Sequence, residues 1–250
     1  MKFCLSLSGH YRTFDSTYDS WKKHLLEVNN IEDIFMETYD NYGYRLDLGK
    51  DQVIPPAGSL HKAQFDEEKI LQEGDLRKQY NIKYLNIENY KKISEENNFK
   101  QRAQKIKKII YDSFGQDRRI EWAFSQYYKR LKGIENTLSI DNYDLVFSGR
   151  PDFLLNRPIN LSELDPEYVH IPVYNNIEGY HDFYLIGNQT NLKKIYNMYF
   201  HIETDLCDFI IRKQGTPNKI TCGHTLLTQY IHNFTDVKVA PIPLCGYITR

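Results

Sequence analysis

The stretch "YDLVFSGRPDFLL", residues 143–155, starts as an apolar, β-branched run and then breaks at Ser148-Gly149 into Arg150-Pro151-Asp152. A strand that ends by delivering a guanidinium and a carboxylate two residues apart can neutralise an anionic leaving group or hold a cation. Alternation of side chains along a strand predicts both charges on one face, with Pro151 fixing the backbone between them. A plain ion pair at a strand end fits the same residues. Further polar residues follow other predicted strands: Gly9, His10, Tyr11, Arg12 and Thr13 after the first, and Glu37, Thr38 and Tyr39 around the end of the second. Ligands of open α/β sheets gather at the carboxyl ends of strands, and this donor-rich set suits a phosphorylated ligand. In such a set Arg12 is a bidentate phosphate partner, aided by backbone N–H groups at the start of the following helix.

Familiar nucleotide motifs are missing. No GxxxxGK[ST] loop occurs, no GxGxxG follows a strand, and a GxSxG nucleophile elbow is absent, which argues against P-loop, dinucleotide-dehydrogenase and α/β-hydrolase chemistry. A sulfotransferase-like phosphate loop at "SGHYRTFDST" would lack its customary lysine.

The elements that must position these residues alternate between strand-like and helix-like patterns, which predicts an α/β layered fold. "KFCLSLSG", "DIFMETYD", "NIKYLNI", "YDLVFSG", "EYVHIPV", "HDFYLIGN" and "VKVAPIPL" read as strands. The first helix carries Tyr18, Trp21, Leu25 and Val28 at helical spacing, with Ser16 and Asp19 forming a variant capping box. Residues 41–80 form an irregular excursion with at most short helices, and residues 88–113 a basic amphipathic helical stretch. From near Asp117, Ile120, Phe124, Tyr127, Leu131, Ile134 and Leu138 make an apolar stripe, with Trp122, Gln126 and Lys129 on another face. Helices are expected at about 190–200, 206–213 and 223–234.

Composition sets the outer bounds. The 250 residues are 41% hydrophobic with a formal net charge of -1, so a real core is expected and no global field draws nucleic acid or an anionic membrane. Cys4, Cys207, Cys222 and Cys245 are widely spaced without a CxxC, which argues against a zinc ribbon or a disulfide framework. With no recognisable targeting segment and no long apolar run, a cytoplasmic protein without a membrane span is expected, and the N-x-S/T triplets at Asn160, Asn188 and Asn233 are read as chance. The twenty tyrosines suit sugar binding, but they sit in a composition rich in lysine, asparagine and isoleucine, which an AT-rich genome produces by itself.

Taken in order, "LSLSGHYRTF", "DIFMETYD", "SQYYKRLKGIE" leading into "YDLVFSGRPDFLL", and "GYHDFYLIGN" resemble the landmarks of small nucleotide-sugar glycosyltransferases of the GT-A type, in the bacterial and large-virus form that carries Arg-x-Asp in place of Asp-x-Asp. The resemblance implies a single Rossmann-like domain over residues 1–250, with a central mixed, mostly parallel sheet flanked by helices. Residues 1–155 would hold a nucleoside-diphosphate sugar and residues 156–250 would face a glycan or protein acceptor. It implies nucleotide contacts at Ser8, Gly9, His10, Tyr11, Arg12, Thr13 and Tyr39. Asp152 would be the retained carboxylate, reaching the diphosphate through Mn or Mg, and Arg150 a cation that makes the metal weak or dispensable. Asp182 would be the leading base, with Glu178 behind it and His181 weaker, although an aspartate before a strand also serves as a plain turn former. His224, where similar enzymes show a glutamate, would complete a metal site or simply open a helix. A non-catalytic nucleotide- or glycan-binding protein of the same fold is the alternative that Arg150 raises.

Overall fold

The computed structural model describes residues 1–11, 13–40, 44–45, 64–65, 71, 73–114, 121–173, 179–214 and 223–248. Arg12, Glu178 and Cys222 lie outside the described residues. In chain order the elements are β1 (Phe3–Ser8), α1 (Phe14–Trp21) continuing through a π-helical turn (Lys22–Leu26) into α2 (Glu27–Asn29), β2 (Ile34–Tyr39), the two-residue strands β3 (Tyr44–Arg45) and β4 (Gln64–Phe65), and α3 (Glu73–Tyr80). Then come β5 (Tyr84–Glu88), α4 (Tyr90–Glu96), α5 (Phe99–Phe114), α6 (Glu121–Ile140), β6 (Leu145–Gly149), β7 (Phe153–Leu155) and β8 (Val169–Val173). The chain closes with β9 (Tyr184–Gly187), α7 (Gln189–Tyr196), α8 (Cys207–Gln214), α9 (Gly223–Phe234), β10 (Val239–Pro243) and β11 (Gly246–Ile248).

Seven strands form one sheet in the order β10-β8-β9-β6-β1-β2-β5. It is mixed and mostly parallel, as expected: only β9 runs against its neighbours, pairing antiparallel with β6 and β8. The central strands β1, β2, β6 and β9 are buried almost throughout because both faces of the sheet are covered, polar residues such as Ser6, Ser8, Glu37 and Ser148 included. Alternate residues supply the two cores. Cys4, Phe35, Val146 and Leu185 join α6 and α7 on one face, while Leu5, Ile34, Met36, Phe147 and Ile186 join Phe14, Trp21 and Leu25 on the other.

Three local expectations change. Thr13 precedes the first helical residue and Ser16 lies inside the first turn, its Oγ donating to the Thr13 carbonyl at 2.8 Å, so no capping box forms there; Val28 ends up exposed. The basic stretch is two helices, broken where Asn98 adopts a left-handed φ of 52°. On α6, Lys129 and Arg130 are fully buried, because this helix packs between the sheet and α5 and α7 and has more than one interior face. Of the triplet asparagines, Asn160 and Asn188 accept hydrogen bonds as helix caps, a structural use of each side chain.

Candidate active site

From β1 the chain steps outward through β2 to β5, then returns through α4, α5 and α6 to lay β6 on the other side of β1. The change of direction opens the sheet's carboxyl end between β1 and β6, the place where open α/β sheets bind ligands. Gly9 follows β1 there with a φ of +123°, a conformation glycine alone adopts easily, and a Cβ built on it would meet nothing within 4 Å. The backbone after β1 is therefore approachable. His10 stands half-buried beside it, its ring 4.8 Å from Tyr39 and 5.3 Å from Tyr90.

The other residues expected around this loop are more internal. The Ser8 side chain is buried and faces α6, where a Cβ on Gly133 would come within 2.6 Å of its Oγ. Tyr11 is core, donating with Tyr80 to the Asp15 carboxylate. Tyr39 is also core: its hydroxyl donates to the Ser125 carbonyl at 3.0 Å and its ring lies under the Lys129 ammonium. Thr13 is half-buried at the start of α1. Thr38 is buried, and Glu37 lies within a polar cluster of Asn86, Asn136 and Lys129, where burial pushes its carboxyl up.

At the end of β6, Arg150 and Asp152 do not share a face of an extended strand. Arg150, Pro151, Asp152 and Phe153 form a tight turn, closed by the Phe153 N–H donating to the Arg150 carbonyl at 3.2 Å. Proline in the second position of a turn sets the φ that such a bend needs. Thr17 of α1 donates to the Pro151 carbonyl at 2.6 Å and fixes the turn to the helix. The bend folds Arg150 onto Asp152 in a two-bond fork, Nε to Oδ1 at 2.9 Å and Nη2 to Oδ2 at 2.8 Å. Arg150 is 13% exposed and Asp152 2%. Burial opposes the guanidinium's charge, but Asp152 outweighs it and keeps Arg150 firmly protonated.

The reversed strand β9 brings the second motif to the same place. Because β9 is antiparallel to β6, its beginning lies at the end of β6: Gly149 pairs with Tyr184, and the Arg150 N–H donates to the Phe183 carbonyl at 3.2 Å. Asp182, next in line, is 2% exposed. Its Oδ2 accepts from Gln126 at 3.0 Å, and its Oδ1 lies 2.8 Å from His224 Nδ1. The buried Arg130 guanidinium donates to the Asp182 and Phe183 carbonyls. Burial would push the Asp182 carboxyl up, but His224 first, then Arg130 and Arg150, hold it well below the usual carboxylate range. Gly223, at the start of α9, is required here, since a Cβ on it would fall 2.5 Å from Asp182 Oδ2. His181 packs its ring on Phe183 and edge-on to His224, and burial lowers its pKa.

The described residues do not make a site that suits a divalent ion. Both Asp152 oxygens bond a guanidinium, so a metal there would sit against a fixed positive charge, and His224 turns its Nδ1 to Asp182. Among the described residues no three His, Cys, Asp or Glu side chains converge as a ligand group. The structure thus joins Arg150, Asp152, Asp182 and His224 in one neighbourhood, while Ser8, Tyr11 and Tyr39 are buried parts of the interior. Arg130 and Gly223, which had no role in the sequence reading, and Gln126, placed there only on a second helix face, also belong to this neighbourhood; Gln126 and Arg130 lie in the landmark "SQYYKRLKGIE", and Gly223 directly precedes His224. No protein-family model and no curated protein matches the chain.

Proposed function

We propose that the chain is a glycosyltransferase that moves a sugar from a nucleoside-diphosphate sugar to a hydroxyl of a glycan or protein-linked acceptor. One observation carries this reading: the reversed strand sets the Asp182–His224 pair beside the Arg150–Asp152 turn, at the carboxyl end of β6 where the strand order changes direction. Glycosyl transfer needs stabilising positive charge for the departing diphosphate and, for inversion, a base for the acceptor hydroxyl. Two of the five guanidinium N–H bonds of Arg150 go to Asp152, which aims the group and leaves others for phosphate oxygens. The loop at Gly9 offers an unobstructed backbone to the nucleotide. The Asp182–His224 pair lies on the acceptor side. Arg150, aimed by its fork to Asp152, supplies the counter-charge for the diphosphate.

Thermal unfolding against UDP-, GDP-, CMP- and dTDP-sugars, with and without Mn, tests the reading. A donor at 100 times its Kd stabilises by about 2.7 kcal/mol, a visible rise in Tm. If none of the four raises it, the reading falls. A donor that binds without being hydrolysed or transferred would instead favour the non-catalytic binder, for which the closed Arg150–Asp152 fork is the structural argument.

A further inference from the structure

We propose that His224 is the catalytic base of this site and Asp182 its positioning residue, an assignment that rests on the glycosyltransferase reading above. Asp182 is badly placed to take a proton itself: it is almost fully buried, and both oxygens have protein partners in Gln126 and His224. His224 retains 25% of its side-chain exposure on the opening turn of α9. A buried carboxylate bonded to a half-exposed imidazole is the arrangement that makes a histidine a directed base.

Which nitrogen carries the proton follows from the contacts. The Asp182 backbone N–H points at His224 Nδ1 as its acceptor at 2.9 Å, and the same nitrogen lies 2.8 Å from Asp182 Oδ1, so Nδ1 cannot both accept from the first and donate to the second. An unprotonated Nδ1 would set its lone pair against that of an ionised carboxylate at hydrogen-bond distance. A protonated Nδ1 makes a charge-assisted bond instead. Arg130 and Arg150 hold the carboxylate ionised even beside a neutral imidazole, so a neutral His224 carries its proton on Nδ1 and leaves Nε2, across the ring, as the accepting nitrogen. Other titratable or charged groups face this pair from each side, His181 from the same loop, Tyr127 and Arg130 from α6 and Arg150 from the end of β6, with the neutral Gln126 amide beside them.

The step balances as a single displacement. The acceptor O–H bond breaks and its proton passes to Nε2. The oxygen pair forms the bond to the anomeric carbon as the bond from that carbon to the phosphate oxygen breaks, and the departing pair leaves with the diphosphate beside Arg150. The imidazolium so formed is stabilised by Asp182 through Nδ1 and later returns its proton to water. One displacement inverts the anomeric configuration.

The experiment uses the full chain, the nucleotide sugar that stabilises the wild type, and water as acceptor. His224→Ala should lower kcat for donor hydrolysis by about 10²- to 10⁴-fold while changing donor Kd by less than about threefold, and added imidazole should restore part of the rate. Asp182→Asn should lower kcat with donor Kd likewise kept. His224→Gln, which preserves the shape and an N–H toward Asp182, covers a failure of the alanine variant to fold and should be equally slow. The released sugar should have the inverted configuration by NMR. Turnover of the folded His224 variants within about threefold of wild type would overturn the assignment, as would retention, or rescue by Mn and not by imidazole. In each of those cases the donor still binds and reacts, so the glycosyltransferase reading survives. A wild type that binds no nucleotide sugar removes both.

Discussion

Arg150 and Asp152 hold each other by two nearly equal bonds across a turn pinned by Thr17, with the carboxylate all but sealed from solvent. A surface pair contributes about 0–1 kcal/mol, whereas removing one member of a buried pair strands the other. Arg150→Ala should therefore destabilise the fold by about 3–5 kcal/mol in urea unfolding, and adding Asp152→Asn should recover much of the loss. Arg150→Lys keeps the charge but not the fork and should fall between. Independent, additive costs for the two single changes would show that the pair contributes no coupling.

Asp182 links stability to acid. Its carboxyl titrates below its ordinary 3.8 in the folded chain, so the stability it confers is complete above the ordinary value and is lost as pH falls below it toward the lowered one. Wild type minus Asp182→Asn, measured by urea unfolding from neutral pH to pH about 2, should shrink on the acid side. A difference that stays constant with pH would place the carboxylate's charge outside the folding balance.

Gly223→Ala places a methyl 2.5 Å from Asp182 Oδ2. Either α9 or the β9 loop must shift, at a cost of about 1–3 kcal/mol. Thermal unfolding should register the loss, and donor hydrolysis should fall further than stability alone explains, because the Asp182–His224 contact spans the same gap. An unchanged Tm would mean that the two segments accommodate the methyl.

Lys129 is wholly buried on α6, its ammonium 2.6 Å from Glu88 and 3.4 Å from Glu37. Lys129→Met should cost about 3–5 kcal/mol because it leaves Glu37 charged in the interior, and the loss should ease in the double variant with Glu37→Gln. Chemical denaturation of the four proteins in this cycle measures the coupling directly.

Strands and helices built on simple periodicity were legible from the residues. α9 spans the expected 223–234, and the expected sheet segments are all present within a few positions. What escaped depends on partners far along the chain. Phe153–Leu155 carries no strand signal of its own, yet it pairs with Gly246–Ile248 across some ninety residues. The direction of β9 was equally invisible, since an apolar run looks the same read either way, and that direction is what joins Arg150 to Asp182. Lys129 was set on a second face of its helix and Arg130 drew no reading of its own, although charged residues are rarely buried. Their burial depends on carboxylates and carbonyls supplied by β2, β5 and the β9 loop. Arg150, Asp152, Asp182 and His224 were singled out by type and place and lie together in the fold; an Arg150–Asp152 ion pair was already one reading of the sequence, whereas the Asp182–His224 contact was not.

The reversed strand also determines how the chain can be taken apart. β9 lies between β8 and β6, β11 pairs with β7, and both cores draw on residues from either side of position 155. A fragment ending at 155 would present the open edge of β6 and part of each core to water, and the remainder would keep β8 but lack β6, the other strand that β9 pairs with. Neither piece is a folding unit; mixed in equal amounts, the two are suited to complement each other non-covalently, and any activity should appear only in the reassembled pair.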